Sequence, residues 1–391
     1  MKNMMLNDQS GLRLKQMHVV LLFITVAVFS ACSASSHKNE TENFLKQHVE
    51  WLSDEERAGR LAGTVQEAAS ANYLENLFLQ YGLVPAGDEG TYVQQFVLSG
   101  PMAEAMEVEN YQSRNILGVV RGTQYPDQFI IVGAHYDGQG NGGIISMNHG
   151  GEPSVHFSAD DNASGTAGLL WLAKRFAENP ASRSVLFAAF SGEELGLLGS
   201  RYMADRLDMP RDSVSAMINL DMIGRLDGSG VTIFGTDTSP LWSQLLQETA
   251  APDSLTIVTA PTGSGASDHT SFYDIGIPVL HYFSGVHEQY HRESDTADLI
   301  DYVGMEMILD HAEGVLRRLS EYSPGEVPFT ETGGGRPPGM PADGVTMGVF
   351  PDYTWSGSGF RIEGVTPGSA AGQGGLEPGD VIIRLNDMEI T

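Results

Sequence analysis

The chain has 391 residues, enough for one sizeable α/β domain and a smaller companion, and its 41% hydrophobic content is that of a globular protein. A formal charge of −28 excludes nucleic acid as a partner, because phosphates require Lys and Arg, and it disfavours anionic lipid headgroups. The lone cysteine, Cys32, rules out an intramolecular disulfide, so the fold must stand on its core.

Taken in order, the chain opens with Lys2, Arg13 and Lys15 ahead of the apolar run Val19 to Phe29, which is too short to span a bilayer and fits a secretory segment. Ser30-Ala31-Cys32 closes it and resembles the lipobox of bacterial lipoproteins, with Phe29 where Leu is usual. That resemblance implies a signal peptide over 1–31, a lipid anchor at Cys32, a tether over 32–40 and a place in the cell envelope, on the outer membrane given Ser33.

Helices are expected over Thr41 to Ser53 and Gln66 to Gln80, the second ending at a Gly82 cap, and strands over Thr91 to Leu98 and Arg114 to Val120. The apolar run Gln128 to Ala134 is a buried strand that ends at His135-Tyr136-Asp137-Gly138. Gln139 to Phe157 is Gly-rich and aperiodic, a functional loop on the rim of a site, with His149 and His156 expected as exposed loop residues. Asp160-Asp161-Asn162 precedes a helix, where acids are ordinary caps.

Val185 to Phe190 is a second buried strand, followed at once by Glu193-Glu194 and a helix-type stretch from Leu195 to Met203. Ala216 to Leu220 is a third, ending at Asp221. Three apolar strands thus hand over to polar residues at one kind of edge, where open α/β sheets place their sites. Further on, Ile277 to Tyr282 reads as a strand in which His281 is buried and hydrogen-bonded. His269 stands near the expected site, as does Arg225, which otherwise reads as a surface ion-pair partner, and Asp298 to Leu319 is the closing helix. Residues 323–343 are Pro- and Gly-rich and read as a linker after a domain over 41–322.

Imidazole and carboxylate groups without thiolate, scattered over strand-end loops, suit zinc, with manganese or cobalt as alternatives. The ordered motifs GAHYDG, ADDNASG, FSGEELGLLGS, NLDMIG and YHRESDT over residues 110–320 resemble the co-catalytic di-zinc aminopeptidases, metallopeptidase family twenty-eight. The resemblance implies a mixed, mostly parallel central sheet flanked by helices and hydrolysis of N-terminal residues from peptides with a free N-terminus. It implies that His135 and Asp221 hold one Zn2+, Glu194 and His291 the other, and Asp161 both. Glu193 would be the general base, Asp137 would orient His135, and Tyr290 would polarise the scissile carbonyl. Glutaminyl cyclases and carboxypeptidases of the same fold are the alternatives among enzymes.

Residues 344–391, with IEGVTPGSAA and GGLEPGDVIIRLNDMEIT, resemble about two-thirds of a bacterial PDZ domain, β-rich and able to bind a peptide C-terminus by strand addition. A non-catalytic envelope scaffold built on that tail is the alternative of another class.

Overall fold

The computed structural model describes residues 40–106, 108, 111–148, 153–226, 228, 230–250, 255–332, 347, 349–351, 357–365, 370–377, 379–385 and 388–390. The signal and lipobox segments, and His149, lie outside them. The chain divides into two compact units, Met1–Phe44 and Leu45–Thr391. In the first, the described residues 40–44 are helical. Everything below concerns the second.

Its frame is a nine-stranded mixed sheet: β1 (Val84–Pro85), β2 (Val93–Val97), β3 (Gln112–Val120), β4 (Tyr125–His135), β5 (Arg183–Phe190), β6 (Val214–Leu220), β7 (Val231–Phe234), β8 (Ile257–Thr259) and β9 (Val279–Phe283). The order is β1-β3-β5-β4-β6-β9-β7-β8, with β2 also paired to β3. β5, β4, β6 and β9 run parallel, while the edges add antiparallel pairs. Every residue of β5 and β6 is buried, as unbroken apolar runs require when helices cover both faces.

The helices include α1 (Val65–Tyr81), α2 (Gly165–Glu178), α3 (Leu198–Asp205), α4 (Trp242–Thr249), α5 (His269–Asp274) and α6 (Tyr302–Ser320). Thr64 caps α1 by accepting from Glu67 N, and Gly82 ends it at φ 75°, the left-handed stop expected of a glycine. α2 and α6 present their apolar sides to the core: Leu169, Leu170, Leu172 and Phe176 on one, Ile308, Leu309, Val315 and Leu316 on the other, all at most 1% exposed. At α3 the sequence expectation shifts. Residues 193–197 form a turn rather than a first helical turn, since Leu197 sits at φ 61° and Leu198 N bonds Gly192 O.

The stretch read as linker begins later than composition suggests. Thr330 N bonds Thr238 O, Thr332 shares bonds with the Tyr273 hydroxyl, and the Phe329 ring lies 5.5 Å from that of Tyr273. Residues 323–332 therefore run on from the domain and seal its surface. Past residue 344, β10 (Val349–Pro351), β11 (Phe360–Val365) and β12 (Val381–Ile382) form a small antiparallel sheet. Arg384–Leu385 pairs with Met388–Glu389 in a hairpin. Among the described residues no helix is long and apolar enough to cross a membrane.

Candidate metal centre

The register of the central strands decides which side chains meet. Gly133 of β4 pairs with Asn219 of β6, so His135 and Asp221, each two residues further on, stand level at the same sheet edge. Across the other side of β4, His135 pairs with Phe190, and Glu193-Glu194 follow after the turn at Gly192. Because β5 and β6 flank β4, this edge is the switch point where an open α/β sheet leaves a crevice. A side chain at position 133 would collide with Phe190 and Met217, its Cβ reaching 2.5 Å, so Gly133 lets these strands pack behind the site.

Asp161 comes from an irregular turn, Ala159–Ser164, that enters α2 through a cis Asp161–Asn162 bond. The acids here are not helix caps, as their place before a helix suggested. Asn162 does that work: its Oδ1 accepts from Gly165 N and Met222 N, and its Nδ2 donates to Leu220 O. One amide therefore ties the Asp161 turn to the end of β6, beside Asp221. Asp295 completes the support by accepting from both Asp160 N and Asp161 N. Burial first, then Asp160, raises the Asp295 pKa to about 7.

The result is two groups of potential ligands, His135 with Glu193 and Asp221, and Asp161 with Glu194 and His291. Asp161 faces both histidines. Its Oδ1 lies 3.3 Å from His135 Nε2 and its Oδ2 lies 3.2 Å from His291 Nε2. Asp221 Oδ1 lies 3.4 Å from His135 Nε2, Glu193 Oε2 lies 4.0 Å from it, and Glu194 Oε2 lies 3.8 Å from His291 Nε2. Burial works against the Asp161 anion, yet the two imidazoles outweigh it and hold its pKa below the usual carboxylate range. Burial, then Asp161, raises Glu194 to about 8, and burial raises Glu193 well above its ordinary value. For His135 burial favours the neutral ring, but Asp221, Glu193, Asp137 and Asp161 together push its pKa well up.

So many carboxylates gathered around two imidazoles call for cations. His135 Nε2, Glu194 Oε1 and Asp221 Oδ1 are buried with no hydrogen-bond partner. Tetrahedral Zn2+ with bonds of about 2.0–2.1 Å sets neighbouring ligands roughly 3.3–3.4 Å apart. The separations of His135 from Asp161 and Asp221 match that spacing, so this donor set fits the metal.

The surrounding residues fix these donors. Thr166 donates to His135 O, and Asp137 Oδ1 lies 3.6 Å from His135 Nδ1, close enough to orient the ring electrostatically but longer than a hydrogen bond. Ser267 donates to Asp221 Oδ2 at 2.6 Å. His291 Nδ1 donates to Ile145 O at 2.9 Å, which leaves Nε2 as the ligating nitrogen. Tyr290 lies with its ring 3.8 Å from that of His291 and lines the cavity.

The sequence does not show the part that two further residues play. Arg60, fully buried, donates to four backbone carbonyls, those of Leu52, Tyr136, Phe157 and Ser158, and so clamps the His135 strand end to the Asp161 turn. Burial brings its pKa down to about 10, against the pull of Asp137, Asp295, Asp161 and Glu194. Its only signal is an Arg between Gly59 and Leu61, which says nothing of partners far along the chain. Asp160 is the other: its Oδ1 accepts from Gly224 N and its Oδ2 faces His287 at 3.2 Å.

The Gly-rich loop does form part of the rim, through Ile144 and Ile145. His156 corrects the expectation of exposure. It is 2% exposed, bonded to Ser146 Oγ and Ser154 O, because the loop folds back with Gly142 packed on its ring. Arg225 bonds Gln289 rather than an acid, His281 is buried and bonded to Asn219 as expected, and His269 lines the cavity.

The model of Peptidase family M28 matches residues 115–315, about half of the chain and the stretch that holds every residue of the two groups. The chain belongs to peptidase family M28. Aminopeptidase YwaD of Bacillus subtilis is 31% identical over 210 residues, 49% of this chain and 41% of that protein. A probable zinc metalloprotease of Pyrenophora tritici-repentis is 38% identical over 109 residues, 28% of this chain and 24% of that protein. The chain thus spans less than half the length of these relatives. In fold it is similar to the zinc aminopeptidase BSAP of Bacillus subtilis, with TM-score 0.56, 17% identity, and 73% of this chain against 97% of that one. The glutaminyl cyclase of Bacteroides thetaiotaomicron shares the fold equally, with TM-score 0.59, 17% identity, and 72% against 98%.

Proposed function

We propose that this M28 chain is an aminopeptidase that uses two Zn2+ to remove N-terminal residues from peptides. The observation that carries the reading is Asp161, whose two oxygens meet two histidines belonging to different ligand groups. His135 and Asp221 would hold one cation, Glu194 and His291 the other, and Asp161 both. When bound, the cations supply Lewis-acid polarisation of the scissile carbonyl and acidify water toward neutral pH. Glu193, the member of the His135 group that stands farthest from His135 Nε2, takes the proton of the attacking water and returns it to the leaving amine. Burial favours that carboxylate's protonated form, which suits the second half of the transfer. Tyr290, against the His291 ring, meets the carbonyl oxygen, and the acidic surroundings attract a free α-amine.

The Cys32 anchor places the enzyme in the cell envelope, facing peptides outside the cytoplasm, and the PDZ-like tail offers an edge for a peptide C-terminus. Elemental analysis of the purified protein, alongside hydrolysis of a panel of aminoacyl anilides, tests the reading. Two zinc equivalents with anilide hydrolysis support it. One equivalent with cyclisation of N-terminal Gln peptides replaces it with a glutaminyl cyclase. Neither activity, with partner capture dependent on residues 344–391, replaces it with a scaffold.

A further inference from the structure

Beside the metal centre lies a cavity of about 570 Å3 with one unusual wall. His281 and His269 lie in it with their rings stacked, centroids 4.5 Å apart and planes 7° from parallel. Phe234 and Phe283 flank His281 at 5.6 and 5.9 Å. An apolar pocket needs no imidazole, so the question is what these two offer.

The proton on His281 is placed by a chain of bonds that starts at the metal centre. Ser267 Oγ donates its single proton to Asp221 Oδ2, so toward Asn219, 2.8 Å away, it can only accept. Asn219 must therefore turn its NH2 to Ser267. The second hydrogen of that NH2 serves His281 Nδ1 at 3.1 Å. A flipped amide would leave Ser267 facing two acceptors with one proton. Since Nδ1 accepts, the proton of the neutral ring sits on Nε2, turned away from Asn219 on a residue that lines the cavity. Burial keeps both imidazoles neutral by pushing each down to about 3. His269 is 1% exposed, and neither of its nitrogens has a hydrogen-bond partner. Both nitrogens are closed off from solvent, so His269 backs the wall with its ring face, on which His281 is stacked.

We infer that His281 selects an N-terminal residue with a hydroxylated aromatic side chain, tyrosine above phenylalanine or leucine. The ring packs along Phe234, Phe283 and Val286. Its hydroxyl accepts from His281 Nε2. A purely apolar side chain leaves that N–H desolvated and unpaired, which is how a site discriminates against an analogue lacking one hydroxyl. Lys and Arg bring no acceptor, and an acidic side chain faces Glu193 and Glu194. The inference rests on the aminopeptidase reading for what enters the cavity.

The test uses the zinc-loaded full chain. The kcat/KM values for tyrosyl and phenylalanyl p-nitroanilide are compared, and the affinities of free L-tyrosine and L-phenylalanine are measured by calorimetry. Tyrosine is favoured about fivefold in both, the worth of one net hydrogen bond. The ratio falls to near one in H281F and stays above one in H281Q, which keeps an N–H. A wild-type ratio of one or less overturns the inference without any variant, and so does an unchanged ratio in H281F. Hydrolysis of both anilides without a tyrosine preference sinks the pocket assignment alone. A calorimetric tyrosine preference with no hydrolysis sinks the peptidase reading and leaves the pocket standing.

Discussion

The two ligand groups that meet at Asp161 are built from different material. His135 and Asp221 stand at the ends of paired strands, with side chains 1% and 11% exposed, and the register between β4 and β6 alone brings them level. His291 stands on a loop, at φ 54°, a left-handed backbone that a non-glycine residue holds at a cost of about 1–3 kcal/mol. What secures it is another loop. Ile145 O takes the Nδ1 proton, Met147 N bonds His291 O, Arg292 donates to Met147 O, and Asn148 Nδ2 reaches both oxygens of Glu293. A ligand carried by a sheet is preorganised by the core, whereas one carried by a loop is only as well placed as the strap that binds it. Of the two proposed cation sites, the first is therefore the stiffer.

In the proposed centre Asp161 is the ligand that both halves would share, so its removal is the largest perturbation. Asp161→Ala should lose both cations at once, with elemental analysis showing under one equivalent and anilide hydrolysis below detection. Loss of a single equivalent would show that Asp161 serves one half only. Glu193→Gln comes next. It should cost about 10^2–10^4-fold in kcat while both equivalents remain. Metal loss from that variant would make Glu193 a ligand of the His135 half, as its 4.0 Å approach to His135 Nε2 allows.

The same contrast governs what could be read from the sequence. The stiffer half is legible, because an apolar run of strand length announces where it stops, and His135 and Asp221 follow two such runs, as Glu193-Glu194 follow a third. His291 was picked out only by the motif around it, YHRESDT, and nothing local says which carbonyl fixes its ring. Arg60 and Asn148 are unreadable for the same reason: three of Arg60's four partners lie 76 to 98 residues away along the chain and Asn148's lies 145 away, and spacing carries no information at that range. His156 was misplaced because a Gly-rich loop looks solvated in composition, yet this one folds on itself around the ring. Residues 323–332 were assigned to a linker on their proline and glycine content. Composition does not register that Thr332 and Phe329 find Tyr273.

The smallest effects separate the halves most cleanly, because each variant touches a support and not a ligand. Asn148→Ala removes the bond to Glu293 and loosens the strap that holds Ile145 O against His291. It should weaken one cation about 10- to 100-fold, the usual consequence of losing a residue behind a ligand, and leave the other bound. Ser267→Ala removes the bond to Asp221 Oδ2 but leaves Asp221 on the end of β6, where the ladder and Asn162 still place it. Its loss of affinity should therefore be under about tenfold, below the usual range for such a residue because the sheet retains the ligand. Zinc titration of the two variants with a competing chelator reads both numbers on one scale. If Ser267→Ala releases its cation more readily than Asn148→Ala, the strand ends do not confer the greater rigidity, and the loop that carries His291 is the better-ordered half.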